Sequence, residues 1–211
     1  MVESFKQTAS DLVALAKELH ARGWLLGTSG NLSAVVDHEP LSLAITPSGA
    51  DKGRLSCEEI LLIDENAEVA AEPRPISGKP SDESPLHVAI VKAKGAGAVV
   101  HTHSTWATLL SDLDGNTGGV EIQGYEMLKG LRGVTTHAHR ELIPIVDNSQ
   151  DMIALSSAIN KVLADNSKAH AVLIRRHGLY TWGSDLKEAK RHVEILEFLF
   201  EVIGRTRALA G

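Results

Sequence analysis

The chain contains only one cysteine, Cys57, among its 211 residues. A single cysteine excludes an intrachain disulfide, and it also excludes a zinc site built from several thiolates. Histidine is plentiful by contrast, with 10 residues, and the acidic side chains number 27. Any metal site in this sequence must therefore use histidine or carboxylate ligands.

The sequence also lacks a long apolar run, an excess of positive charge and the common nucleotide-binding patterns. No apolar run reaches the roughly 18 to 20 residues of a membrane-spanning helix, and the first residues lack the apolar core of a signal peptide. The formal net charge of −6 does not favour nucleic acid as a partner. No glycine pattern matches a P-loop or a dinucleotide fingerprint. We therefore expect a cytoplasmic protein that binds neither a membrane nor nucleic acid.

The apolar residues that are present suffice for one substantial core. They make up 43% of the chain, which predicts a single domain spanning residues 1–211. Apolar periodicity predicts helices at 4–22, 81–94, 104–113, 149–164 and 185–209, with short helices at 56–60 and 125–131. Strands are predicted at 32–36, 41–46, 61–64 and 142–146, in the apolar run that ends at His101, and on both sides of His177.

The order of these elements predicts the fold class. Strands outnumber the βαβ units, so we expect an α/β fold with layers of helices around a mixed, mainly antiparallel sheet. Residues 114–119 are predicted to form a loop, and the irregular segment 72–80 is interpreted as an ordered connector. Ser81 is predicted to be the N-cap of the second long helix, with acidic residues in its first turn.

The apolar run at 96–100 leads directly into a His-x-His sequence, His101 and His103. Residues two apart in a strand point to the same face, so both imidazoles should project together from the strand's end. Two adjacent neutral imidazoles are favourable ligands for a divalent transition metal, although a strand can also end in two histidines that bind only protein groups.

A third histidine, His177, follows another apolar run and precedes Gly178. Gly178 permits a tight turn with positive φ, which would present His177 at the tip of a hairpin. Three histidines with one open coordination position are typical of a catalytic zinc site. A second His-x-His, His137 and His139, has the same spacing but polar flanks, and the sequence alone leaves it open as a metal pair.

Two glycine-containing turns predict a phosphate site. The Thr-Ser-Gly-Asn turn at 28–31 and the Thr-Pro-Ser-Gly turn at 46–49 offer hydroxyl groups and backbone N–H groups. A helix beginning at Ser81 would add its N-terminus, and together these groups form an uncharged cradle for phosphate. Lys52 or Lys79 could add charge, while the simpler interpretation is two ordinary turns.

Two glutamates are candidates for acid–base chemistry. Glu83 precedes the His101 strand in the first turn of the predicted helix, where it could serve the metal or merely complement the helix dipole. Glu126 is set among apolar and glycine residues, and we expect an apolar wall beside it that raises its pKa.

Taken in order, these motifs resemble the class II aldolase family of zinc enzymes over nearly the whole chain. The resemblance is carried by the turns at 28–31 and 46–49, the Lys-Pro-Ser-Asp-Glu segment at 79–83, His101-Thr102-His103 and His177-Gly178. The segments 95–104, 125–130, 143–148 and 175–183 are most similar to dehydratases within that family.

The resemblance implies a class II aldolase-like fold with one zinc ion per subunit, held by His101, His103 and His177. It also implies a sugar-phosphate substrate whose phosphate is bound by Gly30, Asn31, Ser48, Gly49 and Ser81. A homotetramer with active sites near subunit boundaries is implied as well. Glu83 matches the catalytic glutamate of the aldolases, whereas Glu126 matches that of the dehydratases.

Three functions stay open at this point. The first is a zinc-dependent dehydratase of a 2-keto sugar phosphate, and the second is an aldolase or epimerase on a short sugar phosphate. Aldolases and epimerases of the family commonly use a tyrosine near the C-terminus, but residues 205–211 contain no aromatic residue, which favours the dehydratase. The third is a non-catalytic zinc-binding protein, which an open coordination position with two nearby acids disfavours.

Overall fold

The structure, a computed structural model, describes residues 2–70 and 78–210. Most of the predicted connector at 72–80 lies outside these residues. The helices, listed in chain order, are α1 Val2–Ala21, α2 Ser84–Lys94, α3 Thr105–Leu113, α4 Met152–Asp165 and α5 Leu186–Ala210, with short 3₁₀ helices at Cys57–Glu59 and Glu126–Gly130. The predicted helices are confirmed, with ends that shift by a few residues.

Within the described part of the chain, eight strands form the sheet. They are β1 Asn31–His38, β2 Leu41–Ile45, β3 Leu61–Asp64, β4 Ala98–Thr102, β5 Gly119–Gln123, β6 Arg140–Val146, β7 Ala171–Ile174 and β8 Gly178–Gly183. Their order in the sheet is β3-β2-β1-β4-β8-β7-β6-β5. Strands β6 and β7 pair in parallel, and the other neighbouring pairs are antiparallel. The predicted mixed, mainly antiparallel sheet is therefore confirmed.

Strand β5 is a feature that the sequence interpretation missed. In β5, Val120 and Ile122 are buried whereas Glu121 and Gln123 are exposed, which is the period-2 pattern of a strand with one face on the core. The pattern is short and follows a glycine-rich loop, so it does not stand out in the sequence. In the described sheet β5 pairs with β6 and is the last strand in the order, so it forms an edge of the sheet.

Apolar side chains pack on both faces of the sheet. One core joins α1, α3 and α5 to the sheet and includes Leu32, Val100 and Leu179. The other joins α2 and α4 to the opposite face and includes Val99 and Tyr180. Successive side chains of β4 point into alternate cores, because neighbouring residues of a strand face opposite sides of the sheet. No described helix combines the length and the apolarity that crossing a membrane requires.

Helix α2 begins three residues later than predicted. Its first residue is Ser84, Glu83 occupies the N-cap position, and Pro85 lies in the first turn. Proline favours the first turn of a helix because its missing N–H is not needed there. Ser81 is therefore not the N-cap; its hydroxyl instead accepts a hydrogen bond from the Glu83 N–H at 3.2 Å. The predicted acidic first turn is wrong for the same reason, since Glu83 stands before the helix.

Candidate active site

The two histidines at the end of β4 lie side by side. His101 is the fourth residue of the strand, and His103 is the first residue beyond it. Their Nε2 atoms are 2.8 Å apart, as the alternation of a strand predicts. Backbone hydrogen bonds hold both residues, since β4 pairs with β1 and β8, and the His103 N–H donates to the Trp24 carbonyl at 2.9 Å.

The surroundings of these imidazoles prepare them to act as metal ligands. His101 Nδ1 lies 2.9 Å from the Leu179 carbonyl oxygen, to which it can only donate, so neutral His101 has its lone pair on Nε2. Burial lowers the pKa of His101. Burial, with repulsion from His101 and His177, lowers the pKa of His103 to about 3. Both rings are therefore neutral at pH 7, which is the form that binds metal.

His177 approaches the same point from the turn between β7 and β8. Its Nε2 atom is 3.0 Å from His103 Nε2. The residue with positive φ in this turn is Arg176, at 57°, and not Gly178 as the sequence suggested. Gly178 is needed for another reason, because a Cβ at this position would overlap the Thr102 carbonyl oxygen. The glycine thus lets β8 approach β4 closely enough for the third imidazole to join the pair.

Glu83 completes the cluster. Its Oε1 atom is 3.0 Å from His177 Nε2 and 3.5 Å from His101 Nε2. Burial alone would raise the pKa of Glu83, but the adjacent imidazoles of His101 and His177 lower it well below its ordinary range. The simple helix-dipole interpretation of Glu83 is therefore wrong, because the side chain is largely buried and faces the histidines and not solvent.

This donor set fits a divalent metal ion. One ligand atom from each of Glu83, His101, His103 and His177 lies within 4.8 Å of the others. Nitrogen ligands of a tetrahedral zinc site sit about 3.3 Å apart, since each Zn–N bond measures about 2.0–2.1 Å. The Nε2 separations of 2.8 and 3.0 Å need only a small expansion to reach that value.

A polar cavity of about 110 Å³ opens beside the cluster. It is bounded by both predicted turns, by Ser81 and by two residues of the histidine and carboxylate cluster. The lining residues are Thr28, Ser29, Gly30, Asn31, Pro47, Ser48, Gly49, Lys52, Ser81, Glu83 and His103. The residues predicted to bind phosphate are thus brought together next to the candidate metal ligands.

Within this cavity, three predicted phosphate-binding residues already form hydrogen bonds with protein groups: Ser81, whose hydroxyl accepts from the Glu83 N–H, and Ser48 and Asn31. The Ser48 N–H donates to the Lys79 carbonyl at 3.0 Å, which leaves Ser48 its hydroxyl group for a ligand. The Asn31 amide donates to Glu83 Oε2 at 2.7 Å, and the residue is only 3% exposed. Asn31 lines the cavity, but its amide N–H is directed at the carboxylate.

Lys52 is the cationic group of the cavity, and sequence reasoning could not choose it over Lys79. Lys52 is 1% exposed, and its Nζ donates to the Thr28 carbonyl at 2.9 Å. Burial lowers its pKa, which nearby Glu83 partly offsets. Lys79, in contrast, has a 73% exposed side chain that lies 3.8 Å from Asp82. Lys52 lies in the turn at 51–54, which the Arg54 N–H closes on the Asp51 carbonyl, and no periodic pattern in the sequence predicts that its side chain is buried.

Glu126 lies outside the cluster of this chain. Its side chain is 72% exposed, it forms an ion pair with Lys129, and His137 Nδ1 lies 3.9 Å from its Oε2. The hydrogen bond from Lys129 lowers the pKa of Glu126. The expected apolar wall and raised pKa are therefore wrong, because the carboxylate is exposed and pairs with Lys129.

The second His-x-His does not join the cluster. His137 is exposed, whereas His139 Nε2 lies 2.8 Å from Glu141 Oε2. Both residues lie between β5 and β6 in a turn and not at the end of a buried strand. Among the described residues, the four side chains around His101 form the group of metal-binding type, which excludes the alternative pair.

Comparison with known proteins agrees with this geometry. The sequence matches the family described as Class II Aldolase and Adducin N-terminal domain over residues 10–203. It is 42% identical over 200 residues to a methylthioribulose-1-phosphate dehydratase of Methylococcus capsulatus, covering 94% of this chain and 93% of the relative. A methylthioribulose-1-phosphate dehydratase of Sorangium cellulosum is 38% identical over 199 residues, covering 94% and 92%.

A solved structure shares the fold. The crystal structure of YgbL from Klebsiella pneumoniae superposes with a TM-score of 0.79 at 27% sequence identity, covering 95% of this chain and 90% of that one.

Proposed function

The chain belongs to the class II aldolase and adducin family, and we propose that it acts as a zinc-dependent methylthioribulose-1-phosphate dehydratase of methionine salvage. The reaction converts methylthioribulose 1-phosphate to 2,3-diketo-5-methylthiopentyl 1-phosphate and water. The observation that carries the proposal is the convergence of three histidines and Glu83 beside a hydroxyl-lined cavity, in a chain whose relatives have this activity in their names.

The histidine cluster is proposed to hold the zinc ion, one per subunit. His101, His103 and His177 would supply three neutral nitrogen ligands, and Glu83 would supply an oxygen. When bound, the metal acts as a Lewis acid for the negative charge that develops on the substrate during proton removal. The protein contributes by fixing the ligands, because β4 holds His101 and the Leu179 carbonyl sets its tautomer.

The cavity is proposed to bind the phosphate group of the substrate. Ser48 and Ser81 offer hydroxyl groups, and Gly30, Asn31 and Gly49 line the same cavity. Lys52 adds a cationic group at the same cavity, so the phosphate need not rely on uncharged donors alone. Binding there places the sugar carbons toward His103 and Glu83, which line the same cavity.

The two glutamates are proposed to have different roles in the reaction. Loss of water requires removal of the carbon-3 proton and delivery of a proton to the leaving carbon-4 hydroxyl. Both carboxylate oxygens of Glu83 are engaged, one by the histidines and one by Asn31, so Glu83 is suited to orienting the metal and substrate. We assign the proton transfers to Glu126, first as a base at carbon 3 and then as an acid at the leaving hydroxyl.

Glu126 would act on the site of a neighbouring subunit in a homotetramer. Its 72% exposed carboxylate is open to a second copy of the chain. Apolar side chains exposed on α3 and α5, among them Leu113 and Leu209, offer surface for such an assembly. One domain per subunit and a cytoplasmic location complete the proposal, which size-exclusion chromatography with light scattering and imaging of a tagged protein would test.

Subunit mixing tests the assignment of Glu126. Hybrids of His103→Ala subunits and Glu126→Gln subunits, each inactive alone, should regain activity if Glu126 acts between subunits. A random one-to-one mixture in a ring should recover about a quarter of the wild-type rate, because half of the sites keep His103 and half of those face an intact Glu126. No recovery in confirmed hybrids would place Glu126 outside the neighbouring site.

The product of the reaction tests the function itself. Zinc-loaded protein incubated with methylthioribulose 1-phosphate should release the diketone with its carbon chain intact. Cleavage into two fragments, or inversion at one carbon without loss of water, would assign the aldolase or epimerase alternative instead. Inertness of folded, metal-loaded protein would overturn both enzymatic functions and leave a non-catalytic metal-binding protein.

A further inference from the structure

Three buried polar side chains, those of Asn31, Ser33 and His87, form a group next to Glu83. Asn31 and Ser33 are two residues apart on β1 and therefore point to the same face of the sheet. His87 lies four residues after Glu83, which places both on one side of α2. Ser33 and His87 are 0% exposed and Asn31 is 3% exposed, so this arrangement is closed to solvent.

Hydrogen bonds join these side chains in one continuous chain that ends at Glu83. Ser33 Oγ is 2.7 Å from His87 Nδ1, and His87 Nε2 forms a short hydrogen bond with Asn31 Oδ1. Asn31 Nδ2 is then 2.7 Å from Glu83 Oε2. Each residue in the series thus touches the next, and the last one touches the carboxylate of the metal cluster.

The direction of every bond in this chain is determined. Ionised Glu83 only accepts, so the Asn31 amide must donate to it and turn its oxygen toward His87. His87 Nε2 must then carry the proton that it donates to Asn31 Oδ1. Burial, with repulsion from His101, lowers the pKa of His87 to about 3, so the ring is neutral and Nδ1 accepts from the Ser33 hydroxyl.

We propose that His87 is a positioning residue that locks the Asn31 amide and thereby holds Glu83 against His101 and His177. Without the Nε2–H donor, the Asn31 amide could turn over, and its oxygen would then face the carboxylate. Glu83 would leave its present orientation to escape that repulsion, and the cluster would lose its oxygen donor. The inference rests on the proposed function only in taking Glu83 as part of the metal site.

The test uses metal affinity, which needs no turnover. Metal-free full-length protein is titrated with Co²⁺, whose absorption reports both binding and coordination geometry. We expect His87→Leu, which keeps an apolar side chain of moderate size, to weaken Co²⁺ binding by about 10- to 100-fold, the usual effect of losing a residue that orients a ligand. His87→Gln places an amide N–H close to the position of Nε2–H and should restore the affinity to within a few-fold of wild type.

Two further variants separate positioning from a general effect on stability. His192 is another buried histidine, whose Nδ1 donates to the Trp182 carbonyl at 2.7 Å and whose Nε2 accepts from the Arg132 N–H at 3.1 Å. His192→Leu should lower the melting temperature and leave the Co²⁺ dissociation constant unchanged. Ser33→Ala removes the partner of His87 Nδ1 while keeping the ring, so it should weaken Co²⁺ binding less than His87→Leu does and keeps the test valid if His87→Leu fails to fold.

The outcomes bear on the two proposals separately. A Co²⁺ affinity of His87→Leu equal to wild type, or an equal loss in His192→Leu, would overturn the positioning role even in an active dehydratase. If His87→Leu fails to fold, an unchanged affinity in Ser33→Ala would do the same. In active enzyme, His87→Leu should lower kcat at least tenfold and change KM much less, because Ser48, Ser81 and Lys52 of the phosphate cavity form no hydrogen bond with His87. Absence of dehydratase activity in wild-type protein would overturn the proposed function and leave the cobalt result standing.

Discussion

Two regions of the molecule carry the same chemical groups, a glutamate and a His-x-His pair. The inner region comprises Glu83, His101 and His103, and the outer region comprises Glu126, His137 and His139. In the inner region the three side chains converge, with Nε2 atoms 2.8 Å apart. In the outer region Glu126 pairs with Lys129, and His139 contacts Glu141 instead.

The backbone accounts for the difference between the regions. Residues two apart share a face only while the chain is extended, and β4 is kept extended by neighbours on both edges. The outer pair lies in a turn, where the same spacing implies no common direction. A His-x-His spacing therefore has predictive value for a metal site only together with the apolar run that places it on a buried strand.

The largest expected difference between the two regions is the effect of removing a histidine on metal binding and activity. His103→Ala should abolish stoichiometric metal binding and lower activity on the order of 10³-fold or more, because the Lewis acid supplies several kcal/mol of stabilisation. His137→Ala, its counterpart in the outer region, should keep one metal per subunit. Metal analysis of the purified variants decides the matter, and metal loss in His137→Ala alone would reverse the comparison.

Exchange of each glutamate for glutamine should show that the regions contribute different things. Glu126→Gln keeps the shape of the side chain but carries no proton, so kcat should fall by roughly 10²–10⁴ with metal content unchanged. Glu83→Gln should weaken metal binding tenfold or more and lower kcat less. Paired measurements of kcat and metal dissociation constant check both effects. If Glu83→Gln abolished turnover and Glu126→Gln stayed active, the proton transfer would be assigned to Glu83 instead.

Glu197 is a third carboxylate to compare with Glu83 and Glu126. It is buried beside β4, on the face of the sheet opposite to His101. It accepts a hydrogen bond from Thr102 Oγ1 at 2.7 Å, and burial raises its pKa to about 7. Between pH 4.5 and 7 the unfolded chain loses this proton while the folded chain keeps it, so stability falls as the pH rises. The loss is about 3 kcal/mol and is complete above pH 7.

Glu197→Gln should abolish this pH dependence, because the amide does not ionise and still accepts from Thr102. The variant should therefore gain stability relative to wild type at pH 8 compared with pH 4.5. Urea unfolding of both proteins at the two pH values measures the difference. A stability difference that does not change with pH would show that Glu197 is ionised in the folded protein.

The smallest expected effects concern the phosphate cavity of the inner region. Ser81→Ala should raise KM about tenfold, since a hydrogen bond to a charged group contributes roughly 1.5–3 kcal/mol. Lys52→Met should raise KM by a similar or larger factor, whereas Lys79→Met serves as the matched control at an exposed lysine. Steady-state kinetics at fixed metal occupancy provide the values. An effect of Lys79→Met equal to that of Lys52→Met would contradict the assignment of Lys52 as the cationic group that binds the phosphate.

The parts of the site that the sequence predicted are those that depend on local periodicity. His101 and His103 follow from an apolar strand, and the two turns follow from their glycines and hydroxyl residues. The position of Glu83 depends on where α2 begins. Pro85 favours a start at Ser84, so the N-cap is Glu83 and not Ser81 as predicted. The inward fold of Lys52 depends on tertiary packing, for which the sequence has no periodic signal.

The same distinction holds for the fold. Among the described residues, the other seven strands were predicted from apolar runs or alternation, and the long helices from their periodicity. Strand β5 directly follows the glycine-rich loop, and its alternation covers only residues 120–123. Glu126 shows the opposite failure, because its carboxylate is exposed although its neighbours in the sequence are mostly apolar residues and glycines. His87 could have been found only from its i,i+4 relation to Glu83.

The central place of β4 in the sheet has a consequence for how the site is lost. Its amide groups are bonded on both edges, and both of its faces are covered by apolar cores. Such a strand opens only when the whole molecule unfolds, so its amide hydrogens should be among the slowest to exchange with deuterium. His101 is carried by that strand, and heat inactivation should therefore coincide with global unfolding instead of preceding it.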